Sequence, residues 1–419
     1  MASANSVWKR LLGVESVVVE EVEVSEDGST LTARVRPTKR SRSRCSVCHR
    51  RCGRYDAGAG RRVWRGLDLG TVRTFIEAES PRVSCPEHGV VVQDVPWAAP
   101  GSRFTLDFED QCAWLAVHTN RTAASELMRV AWATVGRIVE RVHANAREHT
   151  DLLSGLRRIG IDELSYRKGQ KYVTVVLDHD TGRLVWMAAG RDKATLRRFF
   201  DALGPERSAQ LELVSADGAE WIADVVRERA PQATRCLDPF HVVQWATAAL
   251  DDVRRQKWNE LRQAGAGEHA AELKGARWAL WKNPENLTAQ QSNTLSWLAQ
   301  SNRGLYRAYL LKESLRSVFH LPHDAALERL DAWRKWAARC RLKPFVKLAQ
   351  SIARYAEDIK ATLRHRLSNA LVEAKNTQLR LLIRQAFGFH NVDALIGLAM
   401  LKLAYLCPPL PGRSDPRDD

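Results

Sequence analysis

The sequence predicts a multidomain chain: an N-terminal zinc ribbon, a helix-turn-helix, and an α/β core whose mixed sheet has flanking helices and is interrupted by an all-α block. Three observations carry this. Cys45-Ser46-Val47-Cys48 and Cys85-Pro86-Glu87-His88 supply three thiolates and an imidazole, a closed tetrahedral set for structural Zn²⁺. The β-branched run Lys171 to Asp178 lies between two shorter apolar runs, Arg157 to Asp162 and Arg183 to Ala188, after which strand and helix patterns alternate. Residues 242–360 carry Leu, Ala and Trp at helical spacing and read almost wholly as helix.

Length and charge set the frame. A chain of 419 residues implies two to four domains, and 45% hydrophobic residues supply real cores. The boundaries expected are 1–100 for the hairpin and zinc ribbon and 101–150 for the helix-turn-helix. The core spans 151–241 and 361–407, with the helical block at 242–360 and a disordered tail at 408–419. Lys and Arg number 64 against 49 Asp and Glu, a net +15 that favours a polyanionic partner, nucleic acid first. A basic surface without such a partner is the alternative. No run has membrane-spanning length, so no membrane partner is expected and the chain is expected in the cytoplasm, associated with the nucleoid. Eight cysteines in such a chain point to thiols or metal ligands, not disulfides.

The chain opens with a hairpin: Val17 to Val24, a turn at Glu26-Asp27-Gly28, then Leu31 to Val35. A basic run follows. Lys39, Arg40, Arg42 and Arg44, set directly before the metal knuckle, suit phosphate contact; a solvated linker is the plainer reading. Cys52 could replace one of the four zinc ligands, and unliganded buried thiols are the alternative to the whole site. Strand-like runs at Arg62 to Trp64 and Val72 to Ile76 suit the ribbon. A helix over Leu106 to Val117 and two more, the last starting near Ala133-Thr134, suit helix-turn-helix, with Thr134, Arg137 and Arg141 facing a DNA groove.

In the core, Asp162 closes the first strand and Asp217 follows the fourth, Gln210 to Ser215, so two strand ends can bring two carboxylates together. A fifth strand, Ala233 to Leu237, leads into Asp238 and His241. These read either as a helix N-cap with a packed histidine, or as support for the acids and contact with a flanking phosphate. Asp178 reads as a hairpin turn, and Glu163 alternates to the face opposite Asp162. Within the helix Ser368 to Ala386, Glu373, Asn376, Thr377, Arg380 and Arg384 share one face. That stripe suits an acid meeting a metal and arginines meeting phosphates. Asp162, Asp217 and Glu373 could hold two Mg²⁺ ions, with Mn²⁺ as a substitute, since hard oxygen ligands argue against catalytic zinc there. The tryptophans of the helical block read as core, or as surfaces on which bases stack.

Gly-Ile-Asp162-Glu, Ser-Ala-Asp217-Gly, Cys236-Leu-Asp238-Pro-Phe-His241 and Ser368-Asn-Ala-Leu-Val-Glu373-Ala-Lys-Asn376 occur in one order. Together they resemble the ISL-three family of insertion-sequence transposases over residues 10–405. Lys282 to Thr288 and Ala308 to Glu313 extend the likeness into the helical block. The resemblance implies a ribonuclease-H-like core with an Asp-Asp-Glu triad, Asp162, Asp217 and Glu373, interrupted by a helical insertion. It also implies binding of double-stranded DNA at terminal inverted repeats, then metal-dependent strand cleavage and transfer into target DNA. Ala370 and Ala374 stand where glycine is commoner, and Cys85-Pro-Glu-His88 where a second cysteine pair is commoner. Two ends must be processed, so a homodimer or larger is expected on DNA. The rival reading is a zinc-ribbon and helix-turn-helix DNA-binding regulator with an inactive core.

Overall fold

The computed structural model describes residues 4–413 except Phe387 and His390. The chain forms two compact units, Met1–Asp151 with Gln385–Asp419, and Leu152–Arg384. The first begins with α1 (Ala4–Leu11), which the sequence reading missed. Then come β1 (Val17–Val24), β2 (Thr30–Pro37), β3 (Gly53–Asp56), β4 (Arg61–Arg65), β5 (Arg73–Glu79), β6 (Arg82–Cys85) and β7 (Gly89–Val92). The expected hairpin forms as β1 and β2, antiparallel, with Gly28 at φ 68° in the turn. The four-stranded sheet runs β1-β2-β5-β4, and a separate three-stranded sheet runs β3-β6-β7.

That division corrects one expectation. The runs at Arg62 to Trp64 and Val72 to Ile76 do not build the zinc ribbon; they become β4 and β5 and complete the hairpin's sheet. Burial is the reason. Trp64, Ile76 and Ala78 pack with Val17, Leu31, Ala33 and Val35 into one core, with Trp97 edge-on to Trp64 at 5.5 Å. A ribbon of short strands has no such surface to offer.

Three helices follow: α2 (Leu106–His118), α3 (Arg121–Met128) and α4 (Trp132–His149). Thr105 and Asn120 cap the first two, each accepting a backbone N–H three residues on. Arg129, in the left-handed region at φ 51°, ends α3, and the Ser125 hydroxyl donates to Val130 O at 2.6 Å to close the turn before α4. The inner faces meet through Phe108, Cys112, Ala116, Met128, Val135, Ile138 and Val142.

The second unit holds β8 (Arg158–Arg167), β9 (Lys171–Asp178), β10 (Leu184–Ala189), α5 (Lys193–Leu203), α6 (Pro205–Ser208), β11 (Leu213–Ala216), α7 (Glu220–Arg229) and β12 (Thr234–Leu237). The sheet order is β10-β9-β8-β11-β12. The first three strands are antiparallel, while β11 is parallel to β8 and to β12. The centre of β9 is buried residue after residue, as expected of a strand covered on both faces. Asp162 does not end its strand. β8 pairs with β9 as far as Arg167↔Lys171, because Leu164 is still buried beyond the acid.

Every element from residue 239 to 385 among the described residues is helical: α8 (Pro239–Gln263), α9 (Gly267–Gly275), α10 (Arg277–Trp281), a 3-10 turn at Pro284–Asn286, α11 (Ala289–Ser301), α12 (Arg303–Val318), α13 (His323–Arg339), α14 (Lys343–Arg354), α15 (Ala356–His365) and α16 (Ala370–Gln385). Their core includes Leu250, Leu280, Leu305, Leu311, Trp333, Phe345 and Ile352. Buried Lys312 sits within it. Its Nζ donates to Leu280 O at 3.0 Å and pairs with Glu313, tying the end of α10 to α12. Glu313 and Glu285 share Arg316, so the two family-like stretches of this block meet through one charge network.

The last helix, α17 (Val392–Leu403), belongs to the first unit. It is apolar on most faces and needs cover. Leu401 joins the core of α2 and α4, and Lys402 Nζ donates to Val117 O at 3.2 Å. Of the tail expected to be disordered, residues 408–413 hold no helix or strand and 414–419 lie outside the described residues. No described helix is long and apolar enough to cross a membrane.

Lys312→Met strips Glu313 of a buried partner, so unfolding in urea should show a loss of about 3 kcal/mol. Glu357→Ala, in an exposed helical ion pair, should stay within about 0.5 kcal/mol of the parent.

Candidate active site and metal centre

The metal centre rests on the turn between β2 and β3. Cys45 N–H donates to Arg50 O at 2.9 Å, His49 takes φ 55°, and Val47 N–H donates to Cys45 Sγ at 3.4 Å, folding the knuckle around its thiols. The second pair sits where β6 turns into β7. Cys45, Cys48, Cys85 and His88 bring one ligand atom each within 4.8 Å of all the others; among the described residues no other group of Cys, His, Asp or Glu does so. Cys48 Sγ and Cys85 Sγ are 3.7 Å apart, and His88 Nδ1 lies 3.8 Å from Cys45 Sγ and 3.6 Å from Cys85 Sγ. A tetrahedron with Zn–S of about 2.3 Å and Zn–N of about 2.0 Å has edges of about 3.5–3.8 Å, so the residues fit zinc. The hydrogen bond with His88 pushes the Cys85 thiol down to about 6, towards the thiolate a metal needs. Cys52 stays outside the set: its thiol donates to Arg50 O at 3.4 Å.

The carboxylates gather where β8, β11 and β12 run side by side. The pairing Ser215↔Gly160 sets Asp217, two residues on, beside Asp162, two residues on. Burial raises the Asp162 pKa, and the Asp217 charge adds to the rise. Asp238 caps α8 and accepts from His241 Nδ1 at 3.1 Å. That hydrogen bond, with the nearby charges of Asp217 and Asp162, raises the His241 pKa. The expected cap at Asp238 is thus present, with His241 bonded to it.

Residues from far along the chain complete the site. Asn376 Nδ2 donates to Asp162 Oδ2 at 2.7 Å, while the buried Asn376 Oδ1 has no hydrogen-bond partner. Glu373, one turn earlier on α16, is exposed, and the three acids of the triad are not drawn within ligand spacing of one another. Arg380 and Arg384 are exposed along the same stripe. The seat of α16 is Gly160, where a Cβ would fall 2.4 Å from Val372 Cγ2.

The sequence gave no role to several residues here. Asn369 Oδ1 accepts from Ser215 Oγ, its amide donates towards Ile161 O at 3.5 Å, and its backbone N–H donates to Asp238 Oδ1 at 3.4 Å. His179 Nε2 meets the same Ser215 hydroxyl at 2.7 Å. Asn369 thus joins three strand ends to the start of α16; its place in the run ending at Glu373 was the only hint. Glu163, expected away from the acids, is buried 3.3 Å from Arg191. Burial and then the Asp217 charge push it up to about 7. The Asp217 loop is gripped from the helical block: Tyr355 OH donates to Gly218 O at 3.0 Å, and a Cβ on Gly218 would strike the Trp245 ring at 2.4 Å.

This arrangement can be set beside known proteins. Residues 159–398 match a transposase family model, residues 93–143 match the helix-turn-helix domain of transposase family ISL3, and residues 41–88 match a zinc finger of insertion-sequence transposases. The chain belongs to the transposase family ISL3. It is 53% identical to the transposase for insertion sequence element IS1557 of Mycobacterium tuberculosis, strains CDC 1551 and H37Rv alike, over 97% of both chains. It is 29% identical to the transposase for element IS1001 of Bordetella parapertussis, over 92% of this chain and 95% of that one. An insertion-sequence transposase that carries a zinc ribbon and a DNA-binding helix-turn-helix follows, and the inactive-regulator alternative is not favoured.

The expected DNA-contacting residues of this ISL3 chain divide. Lys39, Arg40 and Arg42 are exposed, but Arg44 donates to Arg40 O at 3.2 Å and His49 O at 2.8 Å, bracing the knuckle. On α4, Arg137 is exposed and Thr134 half-buried. Arg141 does not face outward. Its Nε donates to the buried Glu109 carboxylate at 3.0 Å, because that acid has only Ser102 Oγ, at 2.7 Å, as another donor. Trp132, at the start of α4, is exposed with the Arg121 guanidinium 4.1 Å over its ring.

Two outcomes are expected. Metal analysis of the purified chain should find one zinc, lost in Cys48→Ser and kept in Cys52→Ser. Tyr355→Phe keeps the ring against Trp245 yet loses the bond to Gly218 O. It should fold normally but require several-fold more divalent metal for half-maximal activity.

Proposed function

We propose that this transposase binds the terminal inverted repeats of its element through residues 1–150 and cuts and rejoins DNA with a ribonuclease-H-like core. In this reading an all-α insertion enters the core between β12 and α16. The sheet order β10-β9-β8-β11-β12, with β8 central and pairing antiparallel on one side and parallel on the other, supports it. The observation that carries the reading is the contact of Asn376 with Asp162, which sets the helix of the third acid on the strand of the first.

Asp162 and Asp217 would hold Mg²⁺, or Mn²⁺ in its place, with Glu373 joining from α16. The donor set is hard oxygen, and the Asp162 pKa is raised by burial first and by the Asp217 charge second, both of which a bound cation would offset. The partnerless Asn376 Oδ1 offers one more acceptor at the same spot. When bound, paired divalent ions stabilise the charge on the scissile phosphate and activate the attacking water or 3′-hydroxyl. The protein's own groups do the rest. Asn376 orients the Asp162 carboxylate, the Tyr355–Gly218 bond fixes the Asp217 loop, and His241, held by Asp238, would present a ring donor towards the phosphate. Arg380 and Arg384 would position flanking phosphates.

In the first unit, a groove of about 480 Å³ between the two sheets is lined by Arg34, Arg36, Arg42, Arg51, Arg54 and Arg61. Glutamates engage Arg34, Arg36 and Arg61, which leaves Arg42, Arg51 and Arg54 to meet a phosphate backbone. Processing two ends calls for a homodimer or larger assembly on DNA.

Labelled end duplex in Mg²⁺ provides the test. Asp162→Asn, Asp217→Asn and Glu373→Gln should each lower cleavage about a thousandfold or more while end binding persists. Cleavage at the parental rate removes that residue from the site. Because the Asp162 pKa is raised, protons compete for it above the usual carboxylate range, so the metal needed for half-maximal cleavage should climb as pH falls from 8 towards that window. Replacing Arg42, Arg51 and Arg54 together with Gln should reduce the slope of log K against log salt by about three.

A further inference from the structure

Phe240 is out of place for a residue with only a structural duty. Its side chain is 55% exposed, yet it stands on the first turn of α8 between Pro239 and His241. The ring meets the His241 imidazole edge-on, centroids 5.8 Å apart and planes at 90°. Its backbone is held in place. Pro239 presets the backbone at the helix start, Phe240 N–H donates to Asp238 Oδ1 at 3.4 Å, and Trp245 on the next turns packs over Gly218. The ring is therefore carried by the same helix start as Asp238 and His241, and is open to solvent.

We propose that Phe240 is a stacking platform for an unpaired nucleobase flanking the scissile phosphodiester. The proposal rests on the reading of Asp162 and Asp217 as the site of strand cleavage. A phosphate held there would lie near His241, on which the charges of Asp217 and Asp162 act, and the base of an adjoining nucleotide would then be within reach of the neighbouring side chain. Where the duplex opens at the scissile phosphodiester, the exposed π-face of an aromatic offsets the lost stacking of a base. The net charge of +15 brings the DNA backbone to the protein, whereas a bare phenyl ring contributes nothing to that attraction. A base, and not a phosphate, is the part of the nucleotide it fits.

The test uses the full-length, zinc-loaded protein on a duplex of the element's end with flanking DNA. Thymines placed one by one around the boundary are probed with permanganate in Ca²⁺, where binding does not require chemistry. Cleavage is then timed in Mg²⁺. One thymine next to the boundary should become reactive in the complex, with a pattern that changes in Phe240→Ala and returns in Phe240→Trp. Phe240→Ala should slow cleavage of the intact duplex about tenfold or more, in line with the loss of one stacked base. That deficit should vanish on a substrate already abasic at the reactive position. An unchanged permanganate pattern in Phe240→Ala overturns the proposal, as does an equal loss on intact and abasic substrates. A shift in oligomeric state by light scattering with no change in base reactivity assigns the ring to a protein contact, and overturns it too. Should the parent protein bind but never cleave, the proposed function fails, while the permanganate pattern in Ca²⁺ still decides the platform.

Discussion

The hydrogen bond from Asn376 to Asp162 spans 214 residues of sequence, and the site depends on it. The pairing of β11 with β8 can place Asp162 and Asp217 side by side through the backbone alone. No pairing can bring in Glu373, which sits on a helix beyond more than a hundred residues of other helices. That helix has to be laid against β8 by side chains. Gly160 gives it room, Val372 fills the room, and Asn369 and Asn376 bond to the strand ends on either side of the contact. Both amides are buried, so each lost bond would strand a polar group out of water. The cost of misplacing α16 is therefore steep, which is how a helix so remote in sequence is held against β8.

The helical block contributes to the same end from the other side. Its entry helix, α8, begins at Asp238 and puts Trp245 over Gly218; the end of α14 brings the Tyr355 hydroxyl to Gly218 O. Thr362 Oγ1 donates to Leu237 O at 2.7 Å, and Arg235 pairs with Asp358. Both ends of the block are thus fastened to β12 and to the loop that carries Asp217. The block's interior is held independently, by its own leucine core and by the Lys312–Glu313–Arg316–Glu285 network. A rigid brace fastened at both ends keeps an acidic loop in position against the repulsion of neighbouring carboxylates.

Much of this was legible in the sequence where local chemistry decides structure. Thiols and an imidazole at knuckle spacing, β-branched runs broken by Asp-Thr-Gly, and proline-punctuated helical repeats each specify an element within a few residues. What failed depended on distant partners. The runs at Trp64 and Ile76 read as strands correctly, but their sheet was set by the hairpin face that covers them. The strand at Asp162 continued because Leu164 found cover, which alternation alone could not foretell. Arg141 looked like a groove-facing cation until Glu109, on another helix, claimed it. Asn376 read as part of a stripe that meets metal and phosphates; it is buried against Asp162, a partner that lies far away in sequence.

Glu163 shows how the same environment can give adjacent residues different tasks. Asp162 is half-buried with Asn376 as a donor. Glu163 has only the Arg191 guanidinium at 3.3 Å, itself stacked 4.9 Å over Tyr172, and burial pushes its pKa up to about 7. Burial raises the pKa of both, yet one is held by an amide donor and the other by a guanidinium. The division follows from which donors reach each carboxylate and how far water is excluded, not from the residue type.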